Sequence, residues 1–255
     1  MQNADYENLY KSKNLYPIGP LNLIRNKNIL RFVPKTHKMV LDIGCGRGFL
    51  DIELAKLGHS VLGIDFSENA ISFANKLADE NGYEDRLSFM VGDIFTLNLS
   101  QKFDIVICSE VIEHIKDDRL AIKKLSEFVN INGLLIITVP HSIRQWNIDD
   151  KLSGHFRRYY IKDIRKLLEE NHLKIEKLFV WGFPLMRLYR FIYRRTYKLN
   201  PEQENLPLGY LPKGNLLRAY DFLSPIILGI FSIDNLFNFT RLGIDLVVVG
   251  RKINK

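Results

Sequence analysis

Two glutamates and a histidine stand close together in the stretch ICSEVIEHI, which runs from Ile107 to Ile115. Glu110, Glu113 and His114 occupy positions i, i+3 and i+4, so an α-helix beginning here would place all three on one face. Carboxylate oxygens and an imidazole are ligands for several divalent cations. The same residues could instead form one wall of a cofactor pocket or an ordinary solvated helix face, and the choice depends on what surrounds them.

A glycine-rich turn, VLDIGCGRG, lies upstream at the end of an apolar run. Gly44, Gly46 and Gly48 permit a sharp turn and a close approach of a ligand to the backbone, although a tight turn alone would also explain them. A dinucleotide site needs the spacing G-x-G-x-x-G. Here residue 49 is Phe, which disfavours an NAD-dependent dehydrogenase. Asp42, inside the turn, would repel a pyrophosphate and attract an ammonium group.

Two further carboxylates follow the next two apolar runs. Asp65 ends the second run, where an acidic residue is well placed for the hydroxyl groups of a ribose. Asp93 ends the third run and is expected near an adenine edge. Because such sheets bind ligands at the carboxyl ends of their strands, the three aspartates predict one crevice. A ligand with a ribose, a purine and an amino group but no pyrophosphate fits S-adenosylmethionine.

Short apolar runs alternate with amphipathic stretches from about residue 38 onward, which predicts an α/β fold with helices on both faces of a parallel sheet. The predicted strands are MVLDIG, SVLGID, RLSFMVGD, FDIVICSE, LLIITVP, KIEKLFVWG and IDLVVVGRK. We expect a single domain. It comprises a helical N-terminal cap over 1–37, a cofactor-binding core over 38–182, a helical cap insertion over 183–240 and a final strand over 241–255.

Composition limits the classes of protein to consider. The chain has 255 residues, 46% of them apolar, and a net charge of +7, which favours anionic partners without choosing among them. Two cysteines indicate a reducing compartment, and the polar N-terminus lacks the apolar run of a signal peptide. The apolar run over 222–233 is shorter than the roughly 20 residues that span a bilayer. We expect a cytoplasmic protein that can contact a membrane peripherally.

Four motifs in order, VLDIGCGRG, VLGIDFSENAI, MVGDI and FDIVICSEVIEHI, resemble those of class I S-adenosylmethionine-dependent methyltransferases, and are most similar to the ubiquinone-biosynthesis O-methyltransferase branch. The resemblance covers residues 39–140. It implies a Rossmann-like sheet of seven strands, mostly parallel, with the last one antiparallel. It also implies that the cofactor is held by the following residues: Asp42, Gly44, Cys45, Gly46 and Gly48 at the methionine part, Asp65 at the ribose, Phe66, Asp93 and Ile94 at the adenine, and Glu110 near the methyl group. Phe66 and Ile94 could instead be plain core residues.

In that branch an E-x-x-E-H segment holds a divalent cation, so Glu110, Glu113 and His114 are predicted ligands for Mg²⁺, Mn²⁺ or Zn²⁺. A cation there would bind an acceptor's oxygen and lower the pKa of its hydroxyl group. A fourth ligand would come from His141 or His155. The alternative is a methyltransferase without metal, in which Glu110 lies near the methionine end and His114 packs between helix and sheet.

His155 is also the candidate general base. It stands in GHFRRYY, which resembles a Gly–His element of the same branch, and an imidazole accepts a proton at neutral pH. Arg157 and Arg158 beside it could hold an acidic group of the acceptor. A surface loop with an ordinary histidine is the competing interpretation.

The insertion carries MRLYRFIYRRTYK, in which arginines alternate with aromatic residues, followed by the apolar FLSPIILGIFSI. The first pattern suits nucleic acid, an anionic membrane or the solvated face of a cap helix. We favour a lid over a small-molecule or lipid-linked acceptor, methylated at oxygen, with nucleic acid as the less favoured partner. An RNA or sugar methyltransferase, or a non-catalytic S-adenosylmethionine-binding partner subunit, are the alternatives, and the oligomeric state is left open.

Overall fold

Seven strands form one sheet in the computed structural model, which describes residues 19–197 and 225–254. The strands are β1 (Met39–Ile43), β2 (Ser60–Asp65), β3 (Leu87–Val91), β4 (Phe103–Ser109), β5 (Val129–Pro140), β6 (Leu173–Trp181) and β7 (Asp245–Lys252). Their order is β3-β2-β1-β4-β5-β7-β6, and β7 runs antiparallel to β5 and β6 while the other pairs are parallel. The predicted fold class, a mostly parallel seven-stranded sheet, is confirmed.

Helices connect the strands. The α-helices of the described residues include α1 (Pro20–Leu30), α2 (Phe49–Lys56), α3 (Glu68–Asn81), α4 (Asp118–Phe128), α5 (Ile148–Leu152), α6 (Ile161–Glu169) and α7 (Leu185–Tyr197). Residues 225–231 are also helical, and Ile112–His114, Ile143–Gln145 and Ser232–Phe237 form 3₁₀ turns.

Local sequence explains where α3 begins and ends and where α4 begins. The Ser67 hydroxyl accepts a hydrogen bond from the Ala70 amide at 3.1 Å, and the Asp117 carboxylate accepts one from the Leu120 amide at 3.0 Å. Both contacts satisfy an amide that the first helical turn leaves without a partner. Gly82 ends α3 in the left-handed region, with φ 70°, where a glycine is strongly favoured.

The sheet is buried on both faces. One face packs α4 and α6 against a cluster that includes Leu125 and Leu168, and the other packs α2 and α3 against a cluster that includes Leu54 and Ala78. Central strands therefore read as continuous apolar runs, as parallel strands buried on both sides do. Their carboxyl ends project the polar side chains discussed below.

The ends of β6 and β7 are covered by α1, α7 and residues 225–231, which share a third apolar cluster built around Trp181 and Met186. Asp234 fixes this arrangement, because its carboxylate accepts hydrogen bonds from the first two amides of α7 at 2.8 and 2.9 Å. Residues 1–18 and 198–224 of the predicted caps lie outside the described residues. No helix among the described residues has the length and apolar character needed to cross a membrane.

Candidate active site

The glycine turn connects β1 to α2 and is packed too closely for side chains. Gly44 has φ 77° and Gly48 has φ 74°, both in the left-handed region. A Cβ atom on Gly44 would lie 2.3 Å from Val111 Cγ2, and one on Gly48 would lie 2.8 Å from Phe89 Cζ. Both positions therefore require glycine for conformation as well as for space.

Asp65, at the end of β2, holds this turn in place. Its Oδ2 accepts a hydrogen bond from the Gly46 amide at 2.9 Å, and its Oδ1 accepts one from the Ser67 amide at 3.0 Å. The structure thus gives Asp65 a scaffolding role that sequence reasoning did not assign.

Asp42 is buried beside the same turn, at the fourth residue of β1. Its Oδ1 has no hydrogen-bond partner among the described residues. Burial, together with the charges of Asp51 and Asp65, raises the pKa of Asp42 well above its ordinary value. A buried carboxylate in this state is stabilised by any cationic group that reaches it.

Asp51, in the first turn of α2, is a third buried carboxylate, and sequence reasoning missed it. Neither of its oxygens is hydrogen-bonded by another described residue. Burial, and then the charge of Asp65, raises its pKa to about 7 against an opposing hydrogen bond from its own amide. The helical period offered a signal, because Leu50, Leu54 and Ala55 define the buried face on which Asp51 stands. We call Asp42, Asp51 and Asp65 the carboxylate crevice.

The residues predicted at the adenine differ in their surroundings. The Phe66 side chain is 38% exposed, so it is not a core residue. Asp93 is exposed, and its Oδ1 accepts a hydrogen bond from the Phe95 amide at 2.8 Å. Ile94 is buried in the main core cluster, as the alternative interpretation expected. Their contacts with an adenine remain predictions.

Glu110, at the end of β4, does not begin an α-helix. Its backbone lies in the left-handed region at φ 57°, and only the short 3₁₀ turn over Ile112–His114 follows. The Thr138 hydroxyl donates to its Oε1 at 3.0 Å, and Arg25 of α1 lies 3.0 Å from its Oε2. The single helical face that the i, i+3, i+4 spacing would create is therefore absent from this stretch.

Arg25 joins three distant parts of the chain. Besides Glu110, its guanidinium group contacts Asp245 at the start of β7, with Nη2 and Oδ2 2.9 Å apart. Burial raises the pKa of Glu110 while the charge of Arg25 lowers it, and the pKa of Glu110 remains above its ordinary value. Sequence reasoning missed both Arg25 and Asp245, because neither stands in a motif.

Glu113, His114 and His155 come together beyond β4, and we call them the histidine cluster. Their candidate ligand atoms all lie within 4.8 Å of one another. The two imidazole rings meet edge to face with centroids 4.6 Å apart. Burial, followed by the charge of His155, lowers the pKa of His114 to about 3, so its ring is neutral at physiological pH.

Glu113 is fully buried, and neither carboxylate oxygen is hydrogen-bonded by another residue in the described part of the chain. Burial and the nearby charge of Glu110 raise its pKa well above its ordinary value. An unpartnered buried carboxylate beside two imidazole nitrogens fits a divalent cation as a set of ligands. Of the predicted ligands, Glu110 stands outside this group and is paired with Arg25.

His155 is oriented by a buried carboxylate. Its Nδ1 lies 2.9 Å from Asp150 Oδ1, and Arg158 Nε lies 2.7 Å from the same oxygen. Burial opposes ionisation of Asp150, yet these hydrogen bonds lower its pKa to about 2. His141, the other candidate for a fourth ligand, is buried with its Nδ1 3.0 Å from the Tyr159 carbonyl oxygen.

Arg157 and Arg158, expected to hold an acidic group of the acceptor, both have partners within the chain. Arg158 is buried between Asp150 and the His141 carbonyl group. Arg157 contacts Asp118 at 2.7 Å and the Lys116 carbonyl oxygen at 2.6 Å. Both guanidinium groups therefore stabilise the loop that carries His155, because carboxylates and carbonyl groups of the chain itself satisfy them.

Comparisons with known proteins show to which family the chain belongs. The sequence matches the family described as a methyltransferase domain over residues 34–180, more than half of the chain. It is 33% identical over 149 residues to the ubiquinone biosynthesis O-methyltransferase of Coxiella burnetii (strain RSA 493 / Nine Mile phase I), a match that covers 54% of this chain and 63% of that protein. The mitochondrial ubiquinone biosynthesis O-methyltransferase of Schizosaccharomyces pombe is 39% identical over 102 residues, covering 40% of this chain and 37% of that protein.

The matched stretches thus span less than two thirds of either relative. Among solved structures, the N-methyltransferase NodS from Bradyrhizobium japonicum WM9, in complex with S-adenosyl-L-homocysteine, superposes with a TM-score of 0.61 at 16% identity. The superposition covers 98% of this chain and 99% of that one, and it shows a shared fold. The resemblance to class I methyltransferases near the ubiquinone-biosynthesis branch is confirmed, and the chain belongs to the methyltransferase domain family.

Proposed function

We propose that this protein transfers a methyl group from S-adenosylmethionine to an oxygen atom of a small-molecule or lipid-linked acceptor. The observation that carries the proposal is the carboxylate crevice, in which buried oxygens of Asp42 and Asp51 lack partners among the described residues. A nucleoside with a cationic amino-acid tail would supply the missing positive charge, whereas a dinucleotide would bring a pyrophosphate.

In the cofactor half, the backbone of Gly44, Cys45, Gly46 and Gly48 would hold the methionine part next to Asp42. Asp65 would accept a bond from a ribose hydroxyl, and Phe66, Asp93 and Ile94 would border the adenine. When bound, S-adenosylmethionine supplies a methyl group already activated by its sulfonium. The protein then has to align the acceptor oxygen and exclude water, which can contribute up to ~7–11 kcal/mol.

In the acceptor half, His155 is proposed as the general base. With Nδ1 donating to Asp150, Nε2 is the nitrogen available to accept the proton of an attacking hydroxyl group. Asp150 remains ionised at neutral pH, because its pKa is about 2, and so it stabilises the imidazolium that forms. Glu110, held by Arg25 and Thr138, would border the same space.

A divalent cation, Mg²⁺, Mn²⁺ or Zn²⁺, is proposed at the histidine cluster rather than at the three residues that the sequence suggested. Glu113, His114 and His155 would be its ligands, and a cation held there would lower the pKa of an acceptor hydroxyl group. Asp150 would then orient His155 as a ligand instead of as a base, as carboxylates commonly do for metal-bound histidines. The two roles of His155 exclude each other, so one measurement separates them.

Methyl transfer from labelled S-adenosylmethionine to hydroxylated aromatic acceptors, with and without an isoprenoid tail, tests the proposal. Product that survives excess chelator supports His155 as the base, whereas activity lost on chelation and restored by one divalent ion supports the cation. Methylated product from RNA or sugars alone would support methyl transfer but would reject the proposed class of acceptor. Tight cofactor binding without product on any acceptor would contradict catalysis and support a non-catalytic binding subunit.

A further inference from the structure

Helix α7 presents an apolar face outward. Leu188, Phe191 and Ile192 are each more than half exposed, while Met186 and Arg190 on the opposite face are buried. A helix that packs on a domain normally buries its apolar stripe and exposes its charges. Met186 and Tyr189 pack on the inner side in the cluster around Trp181, whereas the side chains of Leu188, Phe191 and Ile192 are left exposed on the outer side.

The neighbouring segment repeats the feature. Ile226, Ile230 and Ile233, at spacings of four and three, are each close to half exposed or more. Farther along, Leu236 is 72% and Phe239 is 83% exposed. Single exposed apolar residues are ordinary on protein surfaces, but a succession of large ones within one structural unit marks an interaction surface.

Direct contacts hold these two elements side by side. Tyr189 of α7 packs edge to face against Phe231 with ring centroids 5.6 Å apart. Asp234 caps the amino terminus of α7, and Arg187 donates to the Leu242 carbonyl oxygen at 3.1 Å. The outward residues therefore belong to one packed unit and not to two separate loops. We define the cap surface by these outward side chains: Leu188, Phe191, Ile192, Ile226, Ile230, Ile233, Leu236 and Phe239.

The exposed charged side chains described in this unit are all positive. The described segments 185–197 and 225–242 contain a single acidic residue, Asp234, whereas Arg187, Arg195 and Arg241 are exposed. Asp234 is buried under the amino terminus of α7. Arg195 lies over the Phe191 ring, with its guanidinium carbon 5.2 Å from the ring centroid. The cap surface is thus apolar, bordered by arginines, and free of exposed carboxylates in its described part.

We propose that the cap surface docks on an anionic lipid bilayer. Aliphatic side chains at the surface partition into the headgroup boundary of a membrane, and arginines beside them are attracted to anionic lipids. Nucleic acid would use the arginines and the aromatic rings, but it would leave Leu188 and the isoleucines in water. The combination of aliphatic residues with arginines therefore favours a membrane over a nucleic acid.

The same surface continues toward the acceptor side of the site. Gln145 donates to the Gly243 carbonyl oxygen at 2.7 Å, and Arg190 lies 4.0 Å from Asp149 in α5. Asp150, which orients His155, follows directly in α5, whose residues Ile148 and Leu152 are themselves exposed. If the proposed function holds, docking would bring a lipid-linked acceptor to this side of the molecule.

Vesicle co-sedimentation of the full chain tests the docking. Wild-type protein is expected to sediment with phosphatidylcholine vesicles that contain phosphatidylglycerol and to bind pure phosphatidylcholine vesicles at least ~tenfold more weakly. The double variant Leu188→Gln, Phe191→Gln should lose roughly tenfold or more in vesicle affinity. The double variant Arg195→Gln, Arg241→Gln should lose roughly fivefold for each arginine on the anionic vesicles.

The matched control is Leu57→Gln with Ile131→Gln. Both side chains are about half exposed but lie at the amino-terminal edge of the sheet, so this variant should bind vesicles as wild type does. Wild-type protein that ignores vesicles, or a Leu188/Phe191 variant that matches the control, would overturn the proposal. Binding to RNA in place of vesicles would also overturn it, as would a wild-type dimer in solution that dissociates only in the Leu188/Phe191 variant. S-adenosylmethionine titrated into the same variants reports on the cofactor site separately, so failure of docking is distinguishable from failure of the proposed function.

Discussion

The two halves of the site are built in opposite ways. The carboxylate crevice comes from a short run of chain, β1 to the start of α3, and it leaves buried oxygens of Asp42 and Asp51 without partners among the described residues. Around the histidine cluster, by contrast, Glu110, Asp150 and Asp245 each contact an arginine. We infer that a cationic ligand would balance the proposed cofactor half, whereas the chain itself balances the proposed acceptor half except at Glu113, whose oxygens also lack partners among the described residues.

The largest effect is expected from replacing His155, the proposed general base of the acceptor half. His155→Ala should lower turnover by roughly 10²–10⁴-fold at saturating cofactor, because it removes the proposed base and its contact with Asp150. Affinity for S-adenosylmethionine, measured by calorimetry, should stay within about threefold, since His155 belongs to the acceptor half. The control is His37→Ala, an exposed histidine at the other edge of the sheet. A loss of turnover smaller than about threefold would show that His155 is not the general base.

A second test concerns the pairing of charges in the acceptor half. Arg25→Met leaves the buried carboxylate of Asp245 and the partly buried one of Glu110 without their cation, so the free energy of unfolding should fall by roughly 3 kcal/mol in urea denaturation. Lys56→Met breaks the exposed pair with Glu53 and should change stability by less than about 1 kcal/mol, because solvent screens that pair. Equal losses in the two variants would mean that Arg25 does not balance the site.

A third, smaller effect should have the opposite sign in the cofactor half. The pKa of Asp51 rises on folding from 3.8 to about 7. The folded state therefore binds the extra proton between those values, and stability is lost as the pH rises through that window. Asp51→Asn should consequently raise the free energy of unfolding by an amount on the order of 3 kcal/mol at pH 8 and by little at pH 4.

Thermal or urea unfolding of Asp51→Asn at the two pH values measures this difference. Asp85→Asn, at an exposed position in the loop before β3, serves as the control and should be neutral at both. If Asp51→Asn destabilises the protein at pH 8, then Asp51 already has an internal cationic partner and the contrast between the halves fails.

The same contrast explains which features of the fold and of the site could be predicted from the sequence. Periodicity and the glycine turn predict the sheet and the helices around it, because those signals act between residues close in sequence. The burial of Asp51 could have been predicted, because the helical period places it on the apolar face of α2. Arg25, Asp150 and Asp245 were not, because their roles depend on contacts that only the complete fold brings together. The arrangement of Glu110, Glu113 and His114 on one helical face, which their spacing left open, is absent for a similar reason, since Arg25 and Thr138 hold the Glu110 side chain away from the other two.

The most direct test is calorimetric titration of S-adenosylmethionine and, separately, of NAD into wild-type protein, Asp42→Asn and Asp85→Asn. We predict heat of binding with S-adenosylmethionine and none with NAD. Asp42→Asn should weaken binding by roughly tenfold or more, because it removes a charge-assisted contact, while Asp85→Asn should bind as wild type does. Binding of NAD instead, or Asp42→Asn binding as tightly as Asp85→Asn, would contradict the account.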